Sequence, residues 1–217
     1  MKFQRTLFVM ISLVLLGSAN AQESDDYLEF NDRKNVVHGV YLGITTHLGE
    51  IDGEPTYQGG VKVAYVANQQ FEVGFAGNFL YSEQDIFNST SGRDEDLIGG
   101  YGGLHLEPIF FSKRMVNLSF PLLIGAGAVG YVDERFRDDE YELREDDVDP
   151  VFVLEPGVSA LFNISRYLQI EAGFKYRFSS EIDLENSPVS RINGFSGGLG
   201  IKIGIFNMGR HRYKKNI

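Results

Sequence analysis

From Val37 to Phe206 apolar and polar residues alternate with period two in eight runs, each bounded by clusters of Gly, Asn, Asp or Ser. The runs are Val37 to Leu48, Thr56 to Val66, Gln70 to Glu83, Leu97 to Phe111, Val116 to Val132, Val151 to Asn163, Tyr167 to Phe178 and Gly194 to Phe206. The seventh shows the pattern most clearly. Leu168, Ile170, Ala172, Phe174, Tyr176 and Phe178 share one face, and Gln169, Glu171, Gly173, Lys175 and Arg177 share the other. In the fifth, Leu118, Phe120, Leu122 and Ile124 oppose Asn117, Ser119, Gly125 and Gly127, and the Gly/Ala-rich far half leaves the phase open. Helical spacing fits none of the runs better, so the pattern predicts an all-β chain.

Connections sort into two kinds. Those at 67–69, 112–115 and 164–166 are tight, whereas those at 49–55, 84–96, 133–150 and 179–193 are long. Short turns at one end and long loops at the other describe an eight-stranded antiparallel up-and-down transmembrane β-barrel. A helical crossing is not available, because the longest apolar stretch after the first 21 residues is Phe120 to Val132, interrupted by Pro121 and glycines, and a spanning helix needs about 20 apolar residues. Alternation alone also suits a soluble barrel with its apolar face inside. The membrane reading is favoured by aromatics at strand ends (Tyr65, Phe71, Phe162, Tyr81), by a polar face of small residues suited to a narrow lumen, by an even strand count and by the Ile205-Phe206 finish.

Composition narrows the remaining choices. Lys2 and Arg5 precede an apolar run from Leu7 to Leu16, and Gly17 to Ala21 ends in a small-x-small pattern. Residues 1–21 are therefore expected to be a cleaved signal peptide, 22–36 a flexible lead-in, 37–206 the barrel and 207–217 a basic tail. Without the two leader bases the chain holds 18 basic against 30 acidic residues, a net charge of -12, which disfavours nucleic acid as a partner. The absence of cysteine removes disulfides, thiolate metal sites and cysteine nucleophiles.

The sequence resembles the small porin-like outer-membrane β-barrel family of Gram-negative bacteria. The resemblance covers about Val37 to Phe206. It rests on the leader ending at Ala21, on Leu154-Glu155-Pro156-Gly157 leading through Asn163-Ile164-Ser165 to Leu168, on Gly173-Phe174-Lys175-Tyr176-Arg177, and on Gly194-Phe195-Ser196-Gly197-Gly198-Leu199. It implies a cell outer-membrane location, with lipid as the surrounding partner. The chain departs from barrels that end on their aromatic residue, since 207–217 follow Phe206.

With the polar face inward, Lys62, Lys175, Arg177 and Lys202 meet Glu72, Glu107, Glu155 and Glu171 in the lumen. Four bases against four acids predict one closed structural network, with Lys175 or Arg177 as the partner of Glu171, because unpaired buried ions are costly. His105 shares the face of Glu107 and joins the set. The same pair suits general-base work, but Ser82, Ser119, Ser159 and Ser196 match it only in phase, and on the outward faces His38 has no serine beside it. No cofactor or catalytic site is expected. The run Asp133 to Asp149 holds ten carboxylates against three arginines. Asp138, Asp139, Glu140, Asp146 and Asp147 are its weak candidates for divalent cations, against the simpler reading of a solvated loop. The expectation is a monomeric, non-enzymatic barrel with a structural or surface-contact role. Its rivals are a lipid-modifying enzyme or transporter of small hydrophobic molecules, and a soluble ligand-binding barrel.

Overall fold

A computed structural model describes residues 37–88, 93–112, 114–132, 148–184 and 187–208. The expected leader and lead-in, the acidic run at 133–147 and residues 209–217 of the expected basic tail lie outside the described residues, while 207–208, expected in that tail, belong to the last strand. The strands are β1 (His38–Ile51), β2 (Glu54–Ala67), β3 (Phe71–Asn88), β4 (Arg93–Phe110), β5 (Val116–Ser119), β6 (Leu122–Val132), β7 (Val148–Asn163), β8 (Leu168–Ser179) and β9 (Gly194–Met208). All pairings are antiparallel between neighbours, and β1 pairs with β9, so the sheet closes on itself. Closure removes every free edge, the condition for a sheet in lipid.

Nine strands fill eight wall positions. Both β5 and β6 lie between β4 and β7, with one unbroken register on either side. The break falls at Phe120-Pro121, where the proline ring offers no N–H to the ladder. The Phe120 N–H still reaches Pro108 O at 3.1 Å, and the Gly157 N–H reaches Pro121 O at 2.8 Å. The fifth run is thus one nicked strand.

Two connections differ from the expectation of long loops. Residues 49–55 are almost all ladder, closed by Asp52 (φ 54°) and Gly53 (φ 90°). Positive φ at both central positions is a type I′ turn, whose twist matches that of the strands, and Asp-Gly is its strongest signal. Residues 84–96 are likewise mostly strand, with β3 running to Asn88 and β4 starting at Arg93, past a register shift between Ser82 and Ile86. The tight turn at 67–69 repeats the first device with Asn68 (φ 51°) and Gln69 (φ 57°).

Side-chain burial fixes which face is inside. The aliphatic and aromatic series point outward into an exposed belt, with Ile44 at 61%, Phe75 at 67% and Phe174 at 74% exposure. The opposite face is buried, including Lys202, Glu107 and Arg177. A soluble barrel would reverse this arrangement. On β3 the outward belt runs from Phe71 to Tyr81 and then gives way to Glu83, a length that suits one crossing of about 9 to 11 residues.

The lumen changes character along its axis. Toward the loop end an apolar cluster fills much of the lumen: Ile51, Leu80, Leu97, Leu123, Val129, Val151 and Val153 pack together, with Thr56, Ser82 and Ser179 buried beside them. The connection after β8 folds back into it and buries Val189 and Ile192. The expectation of a small, polar inner face does not hold at this level of the lumen.

Candidate functional site

Below the apolar layer, charged side chains from six wall positions converge. Lys202 on β9 extends across the lumen toward β3 and β4, about half the ring away. Its Nζ lies 3.1 and 2.9 Å from the two carboxylate oxygens of Glu72 and 3.0 Å from Glu107 Oε2. Lys62 on β2 donates to Glu171 on β8 at 2.5 Å and lies 3.6 Å from Glu107. Its stem crosses in front of Gly43, where a Cβ would stand 2.8 Å from Lys62 Cγ. The Tyr41 hydroxyl donates to Glu72, and Ser159 donates to Glu171 at 3.4 Å. His105 Nε2 contacts Glu107 at 3.0 Å and lies 3.9 Å from Glu72.

A second cluster sits beside the first. Lys175 Nζ approaches Glu155 Oε1 at 3.3 Å without hydrogen-bond geometry, and the Tyr101 hydroxyl donates to the other oxygen of Glu155. Arg177 donates from Nη1 to the Tyr101 oxygen at 3.3 Å and from Nε to Ile192 O at 2.7 Å. The guanidinium thereby ties the returning loop segment to the charged layer. All nine lumen residues read from the sequence line the interior, arranged as two clusters instead of one. Glu171 meets Lys62 and Lys202, and not the expected Lys175 or Arg177. Tyr41, Tyr101 and Ser159 join the clusters as hydrogen-bond donors. Ser159 is expected from the sequence only as a serine in phase with His105, and neither tyrosine is expected in the network, although each lies in the inward phase of its strand.

The donors at Glu72, His105 and Glu107 lie within 4.8 Å of one another and have the spacing of a metal site. The Lys202 ammonium already sits among these carboxylates, so a covalently tethered cation fills the position. The acidic candidates Asp138, Asp139, Glu140, Asp146 and Asp147 lie outside the described residues. Of the four serines, none is hydrogen-bonded to His105 among the described residues: Ser82 pairs with Thr56 at 2.8 Å, and Ser119 donates to Ser159 O at 3.4 Å. His38 faces outward at the short-turn end, against the Tyr65 hydroxyl. Between the two clusters a cavity of about 20 Å³ remains, room for roughly one water.

No protein-family model matches the chain, and no curated protein matches its sequence. Solved structures do: Neisserial surface protein A superposes with a TM-score of 0.50 at 12% identity, over 76% of this chain and 96% of that one. The fold is that of an outer-membrane β-barrel. Ail, the attachment invasion locus protein of Yersinia pestis, is similar at a TM-score of 0.41 and 18% identity, over 78% of this chain and 99% of that one. The outer membrane enzyme PagL gives 0.39 and 11%, over 74% and 98%. At these identities the likeness concerns fold, and one fold carries many roles.

Proposed function

We propose that the protein is a non-enzymatic barrel of the outer membrane that works through the surface it carries at its loop end, as a structural or surface-contact protein. The observation that carries this reading is the filled interior. An ionic layer built from Lys62, Lys202, Glu72, Glu107 and Glu171 lies beneath an apolar layer into which Val189 and Ile192 fold back. An eight-stranded barrel has an interior just wide enough for side chains, and here they occupy it. Transport of small hydrophobic molecules would require the apolar layer to be open, yet Leu80, Leu97, Val153 and Ile192 are fully buried in it.

Among the described residues no serine is hydrogen-bonded to the His105 imidazole, which is buried against Glu107. The described loop end is acidic, with Glu50, Asp52 and Glu54 around the β1–β2 turn and Glu83, Asp85, Asp94, Glu95 and Asp96 on β3 and β4. Rigid walls that display acidic connections favour contacts with cationic groups. The test is planar-bilayer recording of the intact protein together with mass spectrometry of co-incubated envelope lipids. No steady conductance and unaltered lipids are expected; a stable open level or a cleaved acyl chain would overturn the reading.

A further inference from the structure

The outer wall carries a groove of about 710 Å³ across β7, β8, β9 and β1. Cross-strand partners Ala160, Ala172, Leu199 and Thr46 form one outward row, and Val158, Phe174, Gly197 and Leu48 form the next. Two alanines and a glycine lower the surface here, as Gly77, Gly100, Gly102, Ala126 and Ala128 do on the part of the wall formed by β3, β4 and β6, and here the depression forms a groove lined by Leu48, Val158, Phe174 and Leu199. The Phe174 ring leans over Gly197, with ring carbons 3.0 Å from where a Cβ would be. The lining is almost wholly apolar.

We propose that this groove seats one acyl chain of an ethanolamine-headed phospholipid, an inference that rests on the reading of the wall as membrane-embedded. Apolar surfaces gain nothing from mere contact in hydrocarbon, so a partner is held there by packing. A concave strip rewards a slender flexible chain that follows it. A second barrel, presenting a convex wall, leaves the floor at Ala160 and Ala172 untouched. Charge selects the headgroup. Glu50 lies on the same face as Leu48, two residues or about 7 Å toward the loop end, and the turn beyond carries Asp52 and Glu54 with no basic residue between 49 and 55. An ammonium group is matched to that rim, and a headgroup of net negative charge is repelled.

The experiment places the full chain in nanodiscs of phosphatidylethanolamine or phosphatidylglycerol and counts the lipids that stay bound on ejection in native mass spectrometry. One retained phosphatidylethanolamine is expected. Ala160→Leu with Ala172→Leu should lower the retained fraction about tenfold, whereas Val63→Leu on another part of the wall leaves it unchanged. Equal retention in the filled-groove variant overturns the seat, equal retention of phosphatidylglycerol overturns the headgroup assignment, and a dimer that the variant abolishes overturns lipid as the occupant. A chain that does not enter nanodiscs overturns the membrane reading itself. Should the double variant fold poorly, Leu199→Trp in a chain that has no tryptophan gives a second readout. Brominated phosphatidylethanolamine should quench the Leu199→Trp variant at a lower mole fraction than the Val63→Trp variant, and identical quenching curves overturn the seat.

Discussion

Glu72 on β3 and Glu107 on β4 are direct cross-strand partners, and both accept hydrogen bonds from the one Lys202 ammonium. Like charges placed opposite each other are destabilising on their own, so the pair depends on a cation that arrives from a distant strand. The side chain that neutralises the two carboxylates also spans the lumen.

Replacing that cation should therefore cost far more than a surface lysine would. Lys202→Met leaves two buried carboxylates facing each other and is expected to lower stability by about 3 to 5 kcal/mol, the range for breaking a buried pair. Adding Glu107→Gln removes one of the stranded charges and should restore part of the loss. Urea unfolding of the barrel in lipid vesicles measures both, and a double variant less stable than Lys202→Met alone would contradict the pairing.

The exposed belt yields a depth-dependent prediction. Ile44→Arg lies midway along β1 on the outward face and should cost about 2 to 4 kcal/mol in a bilayer, against about 0 to 1 for Glu83→Arg near the rim. Equal costs at the two positions would mean that the belt does not lie across the hydrocarbon.

Ile192 is the anchor of the returning loop segment. It is fully buried in the apolar cluster, and its carbonyl holds the Arg177 guanidinium. Ile192→Ala should cost about 2 to 5 kcal/mol and make residues 180–193 sensitive to protease added at the loop end. Conductance should stay absent, because the ionic layer beneath is untouched.

The β1–β2 turn offers a local check. Gly53 has φ 90° with open space around it, so a side chain there meets backbone strain without any packing clash. Gly53→Val should cost about 1 to 2 kcal/mol, while the same change at Gly59, which is also open but not at positive φ, should cost less. Thermal unfolding of the two variants compares them.

Recognition through the acidic run remains a direct experiment. We expect Ca²⁺ or Mg²⁺ to give heat with the intact protein that is lost when residues 133–149 are replaced by a Gly/Ser linker, and the signal should weaken as salt rises. Identical heats from both proteins would leave the run as a solvated connection.

Period-two alternation by itself determined the existence of the eight runs and, outside the Gly/Ala-rich half of the fifth, their phase, because a strand's side chains must point to opposite faces. The connection lengths added the up-and-down order, and the strand extensions at 49–55 and 84–96 needed the structure. Once one face is apolar, every residue on a run is assigned to a side. That is why Lys62, Glu72, His105, Glu107, Glu155, Glu171, Lys175, Arg177 and Lys202 could all be placed inside from one-dimensional information. Leu106-Glu107-Pro108 and Leu154-Glu155-Pro156 show the same logic, each setting an inward glutamate beside an outward proline. Phase says nothing about reach or height. Only closure of the ring brought Lys202 across to Glu72 and Glu107 and set Lys62 against Glu171, since a long side chain chooses its partner by its level in the lumen. The apolar layer is not legible in the sequence for a related reason. Leu80, Leu97 and Val153 lie in the inward phase, where they read as exceptions to a polar face, and they become a core only when the segment carrying Val189 and Ile192 folds back among them.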